Sequence, residues 1–230
     1  MKNLKLIFVL LTVSFFTYGQ NKYDKVSSYG QYQEKWALVE IGGLLGFIDR
    51  EGNEIIKPQY EKILAFGQYQ EKWALVEIGG LLGFIDREGK EIIKPRYEKI
   101  LAFGQYQEKW ALVEIGRLLG FIDREGKEII KPRYEKILAF GQYQKKWALI
   151  ETGGLLGFID REGKEIIKPR YEKISAFGQY QENWAVVEIG GLLGFVDQEG
   201  NEIIRPQYEK IIKDKGLVGV LKGNREEIKN

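Results

Sequence analysis

The sequence predicts an all-β protein of tandem 37-residue β-meander repeats, stacked as an open β-superhelix or, as the alternative, closed into a five-bladed propeller-like ring. Three observations predict it. Trp36, Trp73, Trp110, Trp147 and Trp184 recur at a constant step of 37 residues, and Tyr23, Tyr60, Tyr97, Tyr134, Tyr171 and Tyr208 keep the same step. Each period holds short apolar runs broken by Gly and Pro, with no sustained helical period. Both ends of the array carry partial copies of the unit, as stacked repeats require of their caps.

At the N-terminus, Lys2 and Lys5 precede an apolar run from Leu6 to Phe16, and Thr17 and Gly19 supply small residues ahead of Gln20. This reads as a signal peptide over residues 1–19, with the mature chain secreted or periplasmic. The run is about half the length that a bilayer-crossing helix needs. With no Cys in the chain there is no lipoprotein anchor, and no membrane span is expected after signal removal. Residues 20–35 form an N-terminal partial repeat, 36–207 five complete units, and 208–230 a truncated sixth repeat or cap.

Within the unit that starts at Trp73, a first strand runs to Ile78 and stops at Gly79-Gly80; a second, Leu81 to Asp86, ends in Arg87-Glu88-Gly89. Asp86 and Gly89 occupy the first and fourth positions of a type I turn, which leads into a third strand at Glu91, Ile92 and Ile93. Pro95 is expected to interrupt that strand, and Tyr97 to Phe103 to supply a fourth before the polar loop Gly104-Gln105-Tyr106-Gln107. A unit of this size cannot bury both sheet faces alone, so neighbouring units must cover it. The flanking copies differ from the inner ones at Asn53, Gln59, Asn201 and Gln207, and Gly216–Leu221 aligns with Gly191–Val196, the strand before it missing. These atypical ends favour the open stack.

The run Leu45-Gly46-Phe47-Ile48-Asp49, followed by Gly52, Ile55-Ile56, Pro58, Tyr60 and Phe66, resembles the WG repeat, and the resemblance continues in register through nearly all of residues 20–230. The family's signature Trp is Leu here, at Leu45, Leu82, Leu119, Leu156 and Leu193, while this chain's Trp stands on the preceding strand. The resemblance implies a β-rich, non-catalytic repeat of bacterial proteins with no general ligand.

Chemistry is constrained by what is missing. The chain has no His and no Cys, which removes the usual general base, thiolate nucleophiles and Cys-based metal sites. No cofactor, catalytic residue or metal site is predicted. Net charge is +2, with Lys2 and Lys5 in the leader, so there is no electrostatic case for nucleic acid. The repeated Asp49, Asp86, Asp123, Asp160 and Asp197 read as turn acceptors: an acid–base pair needs two unlike environments, and identical units supply like ones. Ser27, Ser28, Thr152 and Ser175 have no plausible base. The Gly-Gly-Leu-Leu-Gly stretches lack phosphate-loop and calcium-roll spacing and read as turns. The Trp residues, set in apolar strands, are expected in the core. Tyr32, Tyr69, Tyr106, Tyr143 and Tyr180, one per polar loop, are the candidate binding residues, for a protein partner or for a cell-envelope glycan, unless each folds back on its own unit. The central unit, residues 110–146, carries eight Lys or Arg against five Asp or Glu.

Overall fold

A computed structural model describes residues 22–214, 217–222 and 225–229; residues 1–19, expected to be a signal peptide, lie outside them. The chain divides into two compact units, residues 1–95 and 96–230. Among the described residues every regular element is a β-strand. The first sheet holds β1 (Lys25–Val26), β2 (Ala37–Ile41), β3 (Leu44–Ile48) and β4 (Glu54–Tyr60), and the second β5 (Lys62–Ile63), β6 (Ala74–Ile78), β7 (Leu81–Ile85) and β8 (Glu91–Tyr97). The third has β9 (Lys99–Ile100), β10 (Ala111–Ile115), β11 (Leu118–Ile122) and β12 (Glu128–Tyr134). The fourth has β13 (Lys136–Ile137), β14 (Ala148–Thr152), β15 (Leu155–Ile159) and β16 (Glu165–Tyr171), the fifth β17 (Lys173–Ile174), β18 (Ala185–Ile189), β19 (Leu192–Val196) and β20 (Glu202–Tyr208). A sixth has three strands, β21 (Lys210–Asp214), β22 (Leu217–Lys222) and β23 (Arg225–Lys229). Strands follow chain order in every sheet, each an open antiparallel meander.

The central hairpin of each sheet forms as the glycine pair predicts. Ile41 pairs with Leu44 across Gly42 and Gly43, whose φ values of 55° and 81° are both left-handed. Such a two-residue type I′ turn matches the strand twist and suits glycine at both positions. In the third sheet Arg117 takes the second position at φ 65°. A side chain there costs about 1 kcal/mol, so Arg117→Gly is expected to raise stability by about that amount. The urea midpoint, followed by tryptophan fluorescence, should shift upward.

The third and fourth strands depart from the sequence expectation. Pro58 does not interrupt: β4 runs through it to Tyr60, and β8 runs through Pro95 to Tyr97. Proline is accommodated because this is the sheet's edge strand and it is bulged. Leu45 pairs with Tyr60 and Phe47 with Ile56, leaving surplus β4 residues opposite Gly46. The strand expected over 97–103 is only Lys99–Ile100, and it opens the third sheet instead of completing the second. Each four-stranded sheet therefore starts just after a Tyr of the 37-residue series, twelve residues upstream of the strand that follows the Trp.

The bulge explains a glycine that the hairpin does not. A Cβ on Gly46 would collide with the Ile56 carbonyl oxygen and lie 2.6 Å from Pro58 N and 2.8 Å from Lys57 C. The same backbone approach recurs at Gly83, Gly120, Gly157 and Gly194.

The core lies between sheets. In the first unit, Trp36, Phe47, Ile56, Tyr60 and Ile63 receive Ala74, Val76 and Ile85. In the second, Trp110, Phe121, Ile130 and Tyr134 receive Ala148, Ile150 and Ile159, and Trp147, Phe158, Ile167 and Tyr171 receive Ala185, Val187 and Val196. One face of a sheet is thus large and aromatic, and the other small and aliphatic, so the two interdigitate. Alternation along β2 puts Ala37 and Val39 inward. The turn glycines join this packing: a Cβ on Gly163 would lie 2.9 Å from the Ile130 side chain, whereas nothing stands within 4 Å of one on Gly52.

The sixth sheet caps the fifth. Val218 and Val220 pack against Phe195, Ile204 and Tyr208. Ile211 pairs with Val220 as Ile174 pairs with Val187, so Leu217–Lys222 stands in second place in its sheet, not in the third place that its likeness to Gly191–Val196 suggested. Asp214 pairs with Leu217, two residues separating them in the chain, whereas elsewhere the aromatic loop precedes the equivalent strand.

Candidate functional site

The loops carrying the candidate tyrosines are closed by their own backbone. The Gly30 amide donates to the Trp36 carbonyl at 3.1 Å and the Trp36 amide to the Gln33 carbonyl at 2.9 Å, and the pair of bonds recurs at Gly67, Gly104, Gly141 and Gly178. Gly30 sits at φ 91°, and its counterparts are equally left-handed, which lets the chain turn back onto the Trp. Tyr32, Tyr69, Tyr106, Tyr143 and Tyr180 are consequently half-buried. Their rings meet Phe47, Phe84, Phe121, Phe158 and Phe195 at centroid distances of 5.2–5.8 Å. Each Phe also contacts the Trp of its own sheet at 5.1–5.2 Å. The structure brings every predicted tyrosine to the rim of an aromatic cluster, where part of the ring is committed to packing and part remains open.

The Asp residues start their turns. In each, Oδ1 accepts the backbone amides two and four residues on, at 3.0 and 2.8 Å, as Asp123 does from Glu125 and Lys127. In the flanking copies Asn53 and Asn201 add side-chain bonds to Asp49 and Asp197. The Asn53 bond, assisted by the turn amides, holds the Asp49 carboxyl below its ordinary range. Among the described residues no group of three or more His, Cys, Asp or Glu is placed to hold a metal.

A second repeated polar contact joins residues 31 apart. The phenol of Tyr60 donates to Glu91 Oε1 at 2.9 Å, Tyr134 to Glu165 at 2.7 Å, and Tyr97 and Tyr171 to Glu128 and Glu202 at 3.0 Å. Arg96, Arg133 and Arg170 reach the same carboxylates at 3.3–3.5 Å and lie over the neighbouring Tyr ring at 4.8–4.9 Å. Burial, reinforced by the carboxylate, pushes Tyr97 and Tyr171 up to about 12 and raises Tyr60 and Tyr134 as well. These phenols tie the last strand of one sheet to the last strand of the next.

Solvent-facing apolar groups concentrate at the hairpin tips, which the sequence reading treated as plain turns. Ile41 and Leu44, Ile78, Ile115, and Ile189 and Leu192 are 36–40% exposed. Ile41 shares the face of Ala37 and Val39 in β2, yet it stands beside Gly42-Gly43 and is 36% exposed. Two grooves accompany these features. In the first unit one of about 570 Å³ is lined by Trp36, Arg50, Ile55, Arg87 and Glu88. In the second unit one of about 490 Å³ lies beside the tip of β14 and β15. Among the described residues no helix is long and apolar enough to cross a membrane.

Known structures resemble the chain weakly. The extracellular domain of a hybrid two-component system from B. thetaiotaomicron matches at 14% identity over 86% of this chain and 31% of that one, with a TM-score of 0.28. BamB from Moraxella catarrhalis matches at 12% identity, 86% and 68% coverage, and TM-score 0.27. PorZ, a bacterial surface component of the type-IX secretion system of Porphyromonas gingivalis, matches at 13%, 90% and 31%, and 0.27. This chain thus spans about a third of the length of two of these three. A search of curated proteins finds no match. The family model is decisive: the "WG containing repeat" matches five times in tandem, at residues 46–81, 83–117, 120–155, 157–192 and 194–225. Its matches begin at or near the strand glycines Gly46, Gly83, Gly120, Gly157 and Gly194, each held against a neighbouring backbone, and with Leu in place of the signature Trp the chain belongs to the WG-repeat family.

Proposed function

We propose that this protein is an exported, non-catalytic interaction module that binds a protein partner through a surface repeated from sheet to sheet. The observation that carries this reading is the recurrence of solvent-facing Ile and Leu at the same hairpin position in both units. Apolar groups at turn tips add little to the fold, and displayed between compensated charges they suit a protein surface better than a polyanion or a sugar. Export rests on the N-terminal pattern of Lys2, Lys5 and the apolar run. In a pull-down from envelope extract, replacing Ile78, Ile115 and Ile189 together with Asn should remove the captured partner while circular dichroism stays unchanged. Equal recovery by the variant would sink the assignment to the tips.

Glycan binding through Tyr32, Tyr69, Tyr106, Tyr143 and Tyr180 is the second reading, favoured by the open part of each ring. Sedimentation with insoluble polysaccharide or peptidoglycan, abolished by changing Tyr69, Tyr106 and Tyr143 to Ala, would establish it over the protein-partner reading.

A further inference from the structure

We infer that the groove at the hairpin end of the third and fourth sheets binds an acidic peptide segment, an assignment that rests on the protein-binding reading above and narrows its chemistry. The groove, about 490 Å³, is lined by Arg133 and Tyr134 at the end of β12, Thr152 and Leu155 at the tip of β14 and β15, and Lys168 and Pro169 in β16, with Glu165 beside them. Leu155 and Pro169, both half-buried, supply apolar surface. Glu165 is neutralised in place, accepting from the Tyr134 phenol at 2.7 Å and pairing with Arg133 at 3.3 Å. Glu151 stands opposite Lys136 across the β13–β14 pair. Lys168 and the Thr152 hydroxyl are exposed and have no hydrogen-bond or ionic partner among the described residues. An incoming carboxylate therefore meets an uncommitted ammonium and hydroxyl over an apolar floor.

Two departures from the repeat fall at the hairpin ends of these sheets. Thr152 stands where Ile41, Ile78, Ile115 and Ile189 stand in the other tips, so a hydroxyl replaces an apolar group. Arg117 stands where the other tips have Gly43, Gly80, Gly154 and Gly191, and it is the non-glycine residue at positive φ among those described. It lies two residues before Leu119, whose partner across the sheet is Tyr134 of the groove. A left-handed arginine is strained, and strain of this kind concentrates where a binding function retains it. Both changes make the same end of neighbouring sheets more polar or more basic. They accompany the +3 balance of residues 110–146, eight cations against five carboxylates. A peptide alternating acidic and apolar side chains matches that pattern, since an extended segment presents the two kinds to opposite sides.

The test uses the full mature chain and a fluorescein-labelled hexapeptide of alternating Asp and Leu, with fluorescence anisotropy as the readout. Saturable binding that weakens as salt rises is expected. Lys168→Glu should weaken it tenfold or more, and Thr152→Ile and Arg117→Gly severalfold each. The latter two restore residues that other repeats carry, and so keep the fold. Lys94→Glu, the equivalent change in the second sheet, should leave affinity unchanged, and the peptide with Asn for Asp should not bind. No binding, equal binding of the Asn peptide, or an equal loss in Lys94→Glu would each overturn the groove assignment. If the tip variants still lose their pulled-down partner while the acidic peptide fails to bind, the interaction-module reading survives and only the groove falls.

Discussion

Replacing Gly120 with Ala is expected to cost about 3 kcal/mol or more, at the upper end of overpacking substitutions, and to make unfolding less cooperative. A Cβ there would collide with the Ile130 carbonyl oxygen and lie 2.6 Å from Pro132 N and 2.8 Å from Lys131 C. All three obstacles are backbone in the bulged edge strand, so no rotamer change relieves them, and β12 must separate from β11. That separation would also disturb Phe121, Ile130 and Tyr134, which form the face receiving the fourth sheet. Gly116→Ala is the control. Gly116 sits at φ 57° with open space around it, so alanine there costs only about 1 kcal/mol of left-handed strain. A further pair separates turn geometry from packing: Gly163→Ala should exceed Gly52→Ala, because only Gly163 abuts Ile130. Urea unfolding followed by tryptophan fluorescence measures all four. Equal losses for Gly120→Ala and Gly116→Ala would refute the close-approach explanation.

The protein should unfold cooperatively between about pH 10 and 12. Tyr97 and Tyr171 ionise at about 12 in the fold, and Tyr60 and Tyr134 are raised too, against an ordinary value of 10.0. Below pH 10 both folded and unfolded chains hold these phenols neutral, and the burial of the neutral form stabilises the fold in full. Above pH 10 the unfolded chain releases protons that the folded chain keeps. Stability then falls by about 1.4 kcal/mol per pH unit for each tyrosine until the folded phenols ionise. Four such groups acting together would exhaust the about 5–15 kcal/mol of a typical domain within that window. Phenolate absorbance should therefore rise together with loss of the β-sheet circular dichroism signal. Lysine titration overlaps this range, so the quadruple Tyr→Phe variant isolates the phenols. Its alkaline transition should move upward, while at pH 7 it loses the hydrogen bonds to Glu91, Glu128, Glu165 and Glu202, each contributing about 1 kcal/mol. Gradual ionisation near pH 10 with the fold intact would show that the phenols are not held as described.

Much of the architecture was legible before any coordinates. The 37-residue step, the glycine-pair hairpin, the Asp turn and the burial of Trp all follow from local rules: paired left-handed glycines, an Asp four positions from its turn amide, and apolar strands too small to cover themselves. The misreadings share one cause. Proline at Pro95 is expected to break its strand because it removes a ladder donor, but that donor is dispensable on an edge strand, as at the equivalent, bulged Pro58, and which strand forms the edge depends on the whole sheet. Gly216–Leu221 resembles a third strand in composition, yet the strand that forms there, Leu217–Lys222, pairs with Lys210–Asp214 and stands second.

The candidate surface was legible only in part. Tyr32 and its counterparts are visible in sequence as one aromatic per polar loop, but the Phe that takes up part of each ring lies 15 residues further along, on the third strand. The exposed tips at Ile41 and Ile189 were hidden because alternation assigns them to the buried face, and only the extent of the neighbouring sheet shows that cover stops before them. By itself, then, the sequence determined the period, the strand and turn chemistry and the family, since these depend on residues within a few positions of one another. The tertiary structure alone decided which glycines meet backbone, which tyrosines reach a carboxylate 31 residues away and which apolar residues stay uncovered, because these depend on how each sheet seats against the next.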